Sequence, residues 1–137
     1  MRFRTLPNFK NPLMLENIIR FMFDNIGNPV SATKISNALT QSGNKISVNT
    51  VEAYLQTLVD SFILYKVQRY DIKGKQYLVN GGKHYLRDVG LRYYLLGTKK
   101  ADRGHILENV VYLELIILFQ IKMVASKLPP AALPQGK

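Results

Sequence analysis

The sequence contains no cysteine, few acidic residues and no uninterrupted apolar run of eighteen residues. The absence of cysteine excludes disulfides, thiolate nucleophiles and zinc sites built on sulfur. The longest apolar stretch, residues 106–125, is interrupted by Glu108, Glu114 and Lys122, so we expect no membrane-spanning helix. The basic N-terminus has no continuous apolar segment and does not resemble a signal peptide. We therefore expect a cytoplasmic protein without a membrane partner.

Acidic residues are outnumbered by basic ones, with 9 Asp and Glu against 19 Lys and Arg in 137 residues. Most of this excess lies in residues 63–100, which carry nine basic and two acidic residues, a net charge of +7. Residues 31–62, in contrast, carry two of each. A basic domain of this size is typical of proteins that bind an anionic partner, most commonly nucleic acid. The charge distribution indicates residues 63–100 as the anion-binding part.

Apolar residues recur at helical spacing in three short segments of the N-terminal half. Pro12 can occupy the first turn of the first helix, and Ser31 is a natural N-cap for the second. The third segment, "SVNTVEAYLQTLVDS" (residues 47–61), has a broad apolar side, and Ser47 or Asn49 can cap it. We expect three short helices in succession.

The hydrophobic period changes directly after the third helix. "ILYKVQRYDIKGKQYLV" (residues 63–79) is rich in β-forming residues around the turn-like "DIKGK", which predicts a hairpin with a basic tip. "NGGKHYLRD" predicts a further turn, with residues 84–86 returning as a short strand. Asp88 can then cap a helical turn that Gly97 closes, before the polar break "TKKADRG" and a fifth helix.

This order of elements predicts an α+β, mainly helical fold: a winged helix-turn-helix of three helices plus a β-hairpin wing, with an additional C-terminal helix. We assign residues 1–11 to an N-terminal arm, 12–97 to the winged-helix domain and 98–104 to a linker. Residues 105–120 are expected to form the additional helix, and residues 121–137 an irregular tail that contains prolines. Another kind of small α+β domain is the alternative.

Motifs for catalysis or metal binding are not recognisable. A phosphate-binding loop requires Gly, four residues, then Gly-Lys and Ser or Thr, but Arg69 and Tyr77 stand where the first Gly is needed. The two histidines have no acids at ligand spacing, and Glu108 and Glu114 lie about 120° apart around a helix. Glu108, beside Tyr112, can still be half of a site completed elsewhere. We expect a non-enzymatic protein without cofactor or metal.

The strongest functional signal is a set of basic residues around the hairpin, interleaved with tyrosines: Lys66, Arg69, Lys73 and Lys75, with Tyr65, Tyr70 and Tyr77. Lys and Arg neutralise phosphates and release counterions, and a hairpin tip can enter a minor groove. The alternative is a solvated edge strand that its charges protect from aggregation. Lys83, Arg87 and Arg92 continue the basic excess, which favours anion binding.

The third helix has a weaker signal for reading DNA. Asn49 and Gln56 can pair with adenine edges, and Thr50 can contact a thymine methyl group. Glu52 and Asp60 repel phosphate, and the helix carries no Lys or Arg. The alternative is a core helix without contact to DNA. We therefore predict that Asn49, Thr50 and Gln56 tune a contact that the hairpin dominates.

Three segments together resemble one family: residues 28–78, "KHYLRDVGLRYYLLG" and "GHILENVVYLEL". They are similar to the C-terminal region of a family of predicted AAA+ ATPases from bacteria and archaea. The most specific part is the D-x-G-L and G-x-x-x-E-N order at Asp88, Gly90, Leu91, Gly104, Glu108 and Asn109. In that family an ATPase domain precedes a winged helix, and a region similar to restriction-endonuclease-like folds ends the chain.

The resemblance implies a truncated protein, because the ATPase domain is absent and the nuclease-like region that begins at Glu108 stops within one helix. Glu108 matches the helix glutamate of nuclease-like folds but lacks partners to hold a metal. We interpret the chain as a non-enzymatic nucleic-acid-binding domain whose wing contacts the backbone of double-stranded DNA. The alternative is an interaction module that docks on an ATPase domain or forms a homodimer through the C-terminal helix. A stand-alone transcription regulator is a third interpretation.

Overall fold

The computed structural model describes residues 11–98 and 103–127. Its elements, in chain order, are α1 (Pro12–Asp24), α2 (Ala32–Gln41), α3 (Val48–Asp60), β1 (Leu64–Asp71), β2 (Gln76–Leu86), α4 (Val89–Leu96) and α5 (Arg103–Lys127). The predicted α+β, mainly helical class is confirmed.

The first four helices each begin at a polar side chain that caps the helix. Asn11, Ser31, Ser47 and Asp88 each accept a hydrogen bond from a backbone N–H two or three residues further on. Such caps satisfy N–H groups that have no acceptor within the helix. Ser47 is thus the cap of α3, and Asn49, the other predicted cap, lies inside the helix.

The core lies between the first three helices and the base of the hairpin. Its buried apolar side chains are Ile18, Met22, Phe23, Ile26, Val30, Ile35, Leu39, Ile46, Val51, Tyr54, Leu58, Leu64 and Leu86. Burying each large apolar side chain contributes about 1.5–3 kcal/mol to stability. Helical spacing predicts most of these residues, because it places them on one side of each helix.

β1 and β2 pair in antiparallel fashion from Leu64, at the core, to Asp71, near the tip. The predicted turn at "NGG" is wrong, because β2 continues through it. The pairing instead shifts register after Val67. Gly81 has a φ of 77°, and a Cβ on Gly82 would lie 2.8 Å from the carbonyl oxygen of Val67. The two glycines therefore allow an irregularity within the strand where the sequence indicated a turn.

The link between α1 and α2 lies along the outer edge of β2. Pro29 and Lys83 form an isolated antiparallel bridge. The N–H of Val30 donates to the carbonyl of Gly82 at 3.1 Å, and the N–H of Gly27 also donates to β2. The hairpin is thereby extended to a small three-stranded arrangement.

The fifth helix is longer than the predicted residues 105–120. It begins at Arg103, within the predicted linker, and residues 121–127 of the predicted irregular tail are helical. No proline or glycine follows Gly104 before Pro129, so nothing in this stretch stops the helix.

The remaining parts of the predicted arm, linker and tail lie outside the described residues. These parts are residues 1–10, 99–102 and 128–137. Of the predicted arm, the structure describes Asn11, which belongs to α1 as its cap.

The beginning of α5 is attached to β2 through Asn109, whose side chain is completely buried. The N–H of Leu86 donates to Oδ1 of Asn109 at 2.7 Å, and Nδ2 of Asn109 donates to the Leu86 carbonyl at 2.9 Å. One side chain therefore satisfies both backbone groups of a buried strand residue.

The second half of α5 does not pack against any other part of the described fold. Every residue from Ile117 to Lys127 is exposed. By length and composition, α5 could cross a membrane. We had not expected such a helix from the sequence, because charged residues interrupt its apolar run. It is the one helix of this kind in the described ranges. Only 6% of its apolar window is buried, so it is not a core helix.

Replacing Asn109 by Ala should destabilise the fold by about 2–6 kcal/mol, because it leaves two buried backbone groups unpaired and each costs about 1–3 kcal/mol. Urea denaturation would measure the loss. Asn37→Ala, an exposed change on α2, is the control and should alter stability by less than about 0.5 kcal/mol. Equal stability of the two variants would contradict the role of Asn109.

Candidate nucleic-acid interface

The hairpin tip, residues 69–77, is a short turn between two exposed strand ends. Oδ1 of Asp71 accepts a hydrogen bond from the N–H of Lys73 at 3.0 Å, which closes the first part of the turn. Lys75 has a φ of 51°, a left-handed conformation that completes it. The local backbone thus presents the Lys73 and Lys75 side chains at the end of the hairpin.

Exposed apolar and aromatic side chains accompany the bases of the hairpin tip. Ile72 is 82% exposed, and the rings of Tyr70 and Tyr77 contact each other edge to face at 5.1 Å. Three predicted bases, Arg69, Lys73 and Lys75, are exposed there. None of the three forms an ion pair with a residue in the described ranges. Their charges are therefore available to an anionic partner.

Lys66, the fourth predicted base, lies apart from the hairpin tip. It pairs across the hairpin with His84 and, with it, lines a cavity of about 400 Å³ between α3 and the hairpin. Glu52 and Gln56 of α3 line the same cavity. The structure thus divides the predicted basic set into a group of three at the tip and one base beside α3.

Two bases that continue the excess beyond the hairpin tip, Lys83 and Arg87, have intramolecular contacts that compete with an anionic partner. Nζ of Lys83 donates to Oε1 of Glu108 at 2.7 Å. Arg87 lies over the rings of Phe62 and Tyr65, at 4.7 and 4.3 Å from their centroids.

Arg92 also has an intramolecular contact: it is 1% exposed, and its Nε donates a hydrogen bond to the carbonyl of Phe23 at 2.9 Å. A guanidinium buried in this way holds α4 against α1 and does not face a partner. The basic surface is therefore smaller than the sequence indicated.

The predicted reading residues of α3 are exposed, but two of them have partners within the helix or at its cap. Oγ1 of Thr50 lies 2.8 Å from Oγ of Ser47, and Nε2 of Gln56 donates to Oδ1 of Asp60 at 2.9 Å. The side chain of Asn49 has no hydrogen bond to a described residue. To read a base edge, Thr50 and Gln56 would have to exchange existing hydrogen bonds, which lowers what they can contribute.

His84 is the one histidine in the described ranges that is buried, at 4% exposure. Neither of its ring nitrogens has a hydrogen-bond partner among the described residues. Burial, together with the nearby charge of Lys66, lowers the pKa of His84 to about 4. The imidazole is therefore neutral at pH 7, with one donor and one acceptor nitrogen.

A second polar cluster joins α5 to β2 around Glu108. Its carboxylate accepts hydrogen bonds from Lys83 and from the hydroxyl of Tyr85. The Tyr85 ring stacks on Tyr112 at 4.4 Å. The sequence singled out Glu108 and Tyr112, but it missed Lys83 and Tyr85 as their partners, because those residues belong to another element.

Electrostatics within this cluster favour a charged carboxylate. Hydrogen bonds from Lys83 and Tyr85 lower the pKa of Glu108. Burial, then the hydrogen bond to Glu108, raises the pKa of Tyr85. Glu114, exposed further along α5, is not part of the cluster. In the described ranges, no group of three or more His, Asp or Glu could hold a metal ion.

Comparisons with known proteins find a matching family model and longer relatives in bacteria and archaea. A family model described as Domain of unknown function (DUF8612) matches residues 3–102. An uncharacterized protein of Haemophilus influenzae is 40% identical over 107 residues, covering 78% of this chain and 27% of the relative. An uncharacterized protein of Methanocaldococcus jannaschii is 32% identical over 111 residues, covering 81% and 24%. The chain thus spans about a quarter of the length of these relatives. No solved structure matches it.

Glu108→Gln should reduce stability at neutral pH and have a smaller effect in acid. A lowered pKa in the folded state means that the carboxylate stabilises the fold above its ordinary pKa of 4.5, and that this stabilisation is lost as the pH falls below that value. Denaturation at pH 7 and pH 3 would measure the change. Glu114→Gln, which breaks no contact to a described residue, should have little effect at either pH. A Glu108→Gln effect that is equal at both pH values would contradict the role of the ion pair.

Proposed function

We propose a function for this chain, which belongs to the family described as Domain of unknown function (DUF8612): it is a non-enzymatic winged-helix domain that binds nucleic acid. The favoured partner is double-stranded DNA, contacted mainly at its backbone by the hairpin tip. The observation that carries this proposal is the group of Arg69, Lys73 and Lys75, exposed and without ion pairs in the described ranges.

The order and pairing of the elements support the winged-helix assignment. Three helices precede the hairpin, as in a helix-turn-helix domain followed by a wing. The link between α1 and α2 also pairs with β2 through Pro29 and Lys83. This pairing ties the α1–α2 link to the hairpin, and residues of α3 and of the hairpin line one cavity.

The composition of the hairpin tip suits a duplex. Its three exposed cations can each neutralise a phosphate and release a counterion. Ile72 is 82% exposed. Exposure of an apolar side chain to water is unfavourable, and contact with a DNA groove would bury it. Tyr70 and Tyr77 add hydroxyl groups that can donate to phosphates.

Sequence specificity should be weak. α3 carries Glu52 and Asp60 and no Lys or Arg, and Gln56 is bonded to Asp60. Only a few base contacts from Asn49, Thr50 and Gln56 are therefore expected. A defined motif returned by selection from random DNA would favour a stand-alone transcription regulator instead.

We further propose that the domain works in the cytoplasm as part of, or together with, an AAA+ ATPase-like protein. The resemblance of the D-x-G-L and G-x-x-x-E-N segments motivates this. The matched relatives are about four times as long as the matched segment, which leaves room in them for further domains. An ATPase domain in those longer proteins would support the proposal.

Replacing Lys66, Arg69, Lys73 and Lys75 by Gln should weaken DNA binding and make it less sensitive to salt. Each phosphate that the protein no longer neutralises lowers the steepness of log K against log salt by about 0.9. Fluorescence anisotropy with a labelled duplex at several salt concentrations would measure both effects.

A matched control separates the hairpin tip from net charge. Lys122 and Lys127 are exposed on α5, away from the hairpin. The double change to Gln at these positions alters the charge as much as Lys73→Gln with Lys75→Gln. Only the double variant at the hairpin tip, Lys73→Gln with Lys75→Gln, should reduce the affinity for DNA. Equal losses from both pairs would leave net charge as the cause and contradict binding through the tip.

A second candidate function is protein interaction through α5. Its second half exposes many large apolar residues: Leu115, Ile117, Leu118, Phe119, Ile121, Met123 and Val124. Contiguous apolar surface of this kind commonly marks an interface. Its occupant would be an ATPase domain or a second copy of the chain.

Self-association through α5 predicts a dimer that Leu118→Gln disrupts. Leu118 is 60% exposed, and Leu13, on α1, is 62% exposed, so Leu13→Gln is a matched control that should leave the dimer intact. Size exclusion with light scattering would measure the mass. A monomer at all concentrations would count against self-docking.

A further inference from the structure

The cavity between α3 and the hairpin has the features of a ligand site. Its volume, about 400 Å³, lies within the range of about 300–1,000 Å³ typical of small-molecule pockets. The start of α2, one side of α3 and both strands of the hairpin contribute to its wall. Both polar and apolar side chains line it, so it offers a ligand more than one kind of contact.

Two opposite charges face this cavity without neutralising each other. Lys66 and Glu52 both line it, yet neither forms an ion pair with a residue in the described ranges. Ala32, the first residue of α2, and its cap Ser31 also line the cavity, and N–H groups at the start of a helix have no acceptor within the helix. One part of the wall therefore suits an anionic group.

His84 points independently to a ligand. It lines the cavity and is 4% exposed, and both ring nitrogens lack hydrogen-bond partners among the described residues. Each of these nitrogens has less than 1 Å² of accessible surface, so a ligand reaches them only when neighbouring side chains shift. A ligand that then supplies a donor or an acceptor gains affinity, because a buried polar group without a partner is unfavourable.

The remaining wall is apolar. Val30, Leu55 and Val59 line the cavity on the side of the core. A flat heteroaromatic group can lie against such side chains while its polar edge meets His84 and Glu52. Carboxylates accept hydrogen bonds from the exocyclic amine of cytosine.

We propose that this cavity receives one unpaired nucleotide, with its base between the apolar wall and His84 and its phosphate at Lys66 and the start of α2. The proposal rests on the proposed function, because it names the nucleic-acid structure that the surface prefers. Lys66 and Arg69 are three residues apart on β1, or about 10 Å along a strand. A strand bound at the hairpin tip can therefore present a neighbouring unpaired nucleotide to the cavity.

Two DNA molecules with the same duplex, one blunt and one with a single-nucleotide overhang, would test this. The overhang should bind about tenfold more tightly, equivalent to about 1.4 kcal/mol. His84→Phe keeps an aromatic ring but removes both nitrogens, and it should abolish the preference while leaving blunt-duplex affinity unchanged. Glu52→Gln, at an exposed position that should fold normally, should reduce the preference for a cytosine overhang in particular.

A direct readout at His84 makes the test independent of duplex binding. NMR resonances of the His84 ring should shift on titration with the four nucleoside monophosphates and should not shift with inorganic phosphate alone. Binding of free mononucleotides more tightly than the overhang would identify a free nucleotide as the source of the ligand.

Three results would overturn the proposal: measurable and equal affinity for both DNAs, an unchanged preference in His84→Phe, or His84 resonances that do not move. If duplex binding itself is absent while the His84 resonances respond to mononucleotides, the proposed function fails and the cavity assignment stands. Conversely, tight blunt-duplex binding without an overhang preference leaves the proposed function intact and removes the cavity assignment.

Discussion

The backbone of β2 is hydrogen-bonded along both edges, and the rest of the structure depends on this constraint. β1 pairs with one edge. On the other edge, Gly82 and His84 bind the link between α1 and α2, and Leu86 binds the side chain of Asn109. These residues alternate along the strand, as expected for backbone groups that face the same edge. An uncovered edge invites pairing with another chain, so the fold protects it with a link and a helix.

This pairing also sets where the charges lie. Because Asn109 fixes the start of α5 against β2, its neighbour Glu108 meets Lys83 and the hydroxyl of Tyr85. Arg87 also has contacts within the chain, and burial removes Arg92 from the surface that an anion could reach. The net charge of +7 in residues 63–100 therefore overstates the basic surface. The charge that remains in the described part of this segment belongs to the hairpin.

The hairpin thus connects two different environments. Its tip carries exposed cations with aromatic and apolar side chains, which suits contact with a backbone and a groove. Its middle, around Lys66 and His84, closes a cavity against α3, where opposite charges and an imidazole without a partner among the described residues favour a ligand with several polar groups. α3 contributes Glu52 and Gln56 to the wall of this cavity. Its lack of basic residues is compatible with that role.

Sequence alone determined the starts of α1, α2 and α4, most of the core and the tip of the hairpin, and it left the start of α3 open between Ser47 and Asn49. Capping side chains act on backbone groups two or three residues away, and core positions repeat with the period of their helix, so both can be read locally. Local rules failed at "NGG", where a turn signal became an irregularity inside β2, because the residues on both sides of it, Leu78 and Lys83, pair with β1. Tertiary structure alone decided which bases are exposed and what surrounds Glu108 and His84. Lys83 and Glu108 are 25 residues apart, and Phe23 and Arg92 are 69 apart. Contacts over such separations depend on how the elements pack, which no local pattern contains.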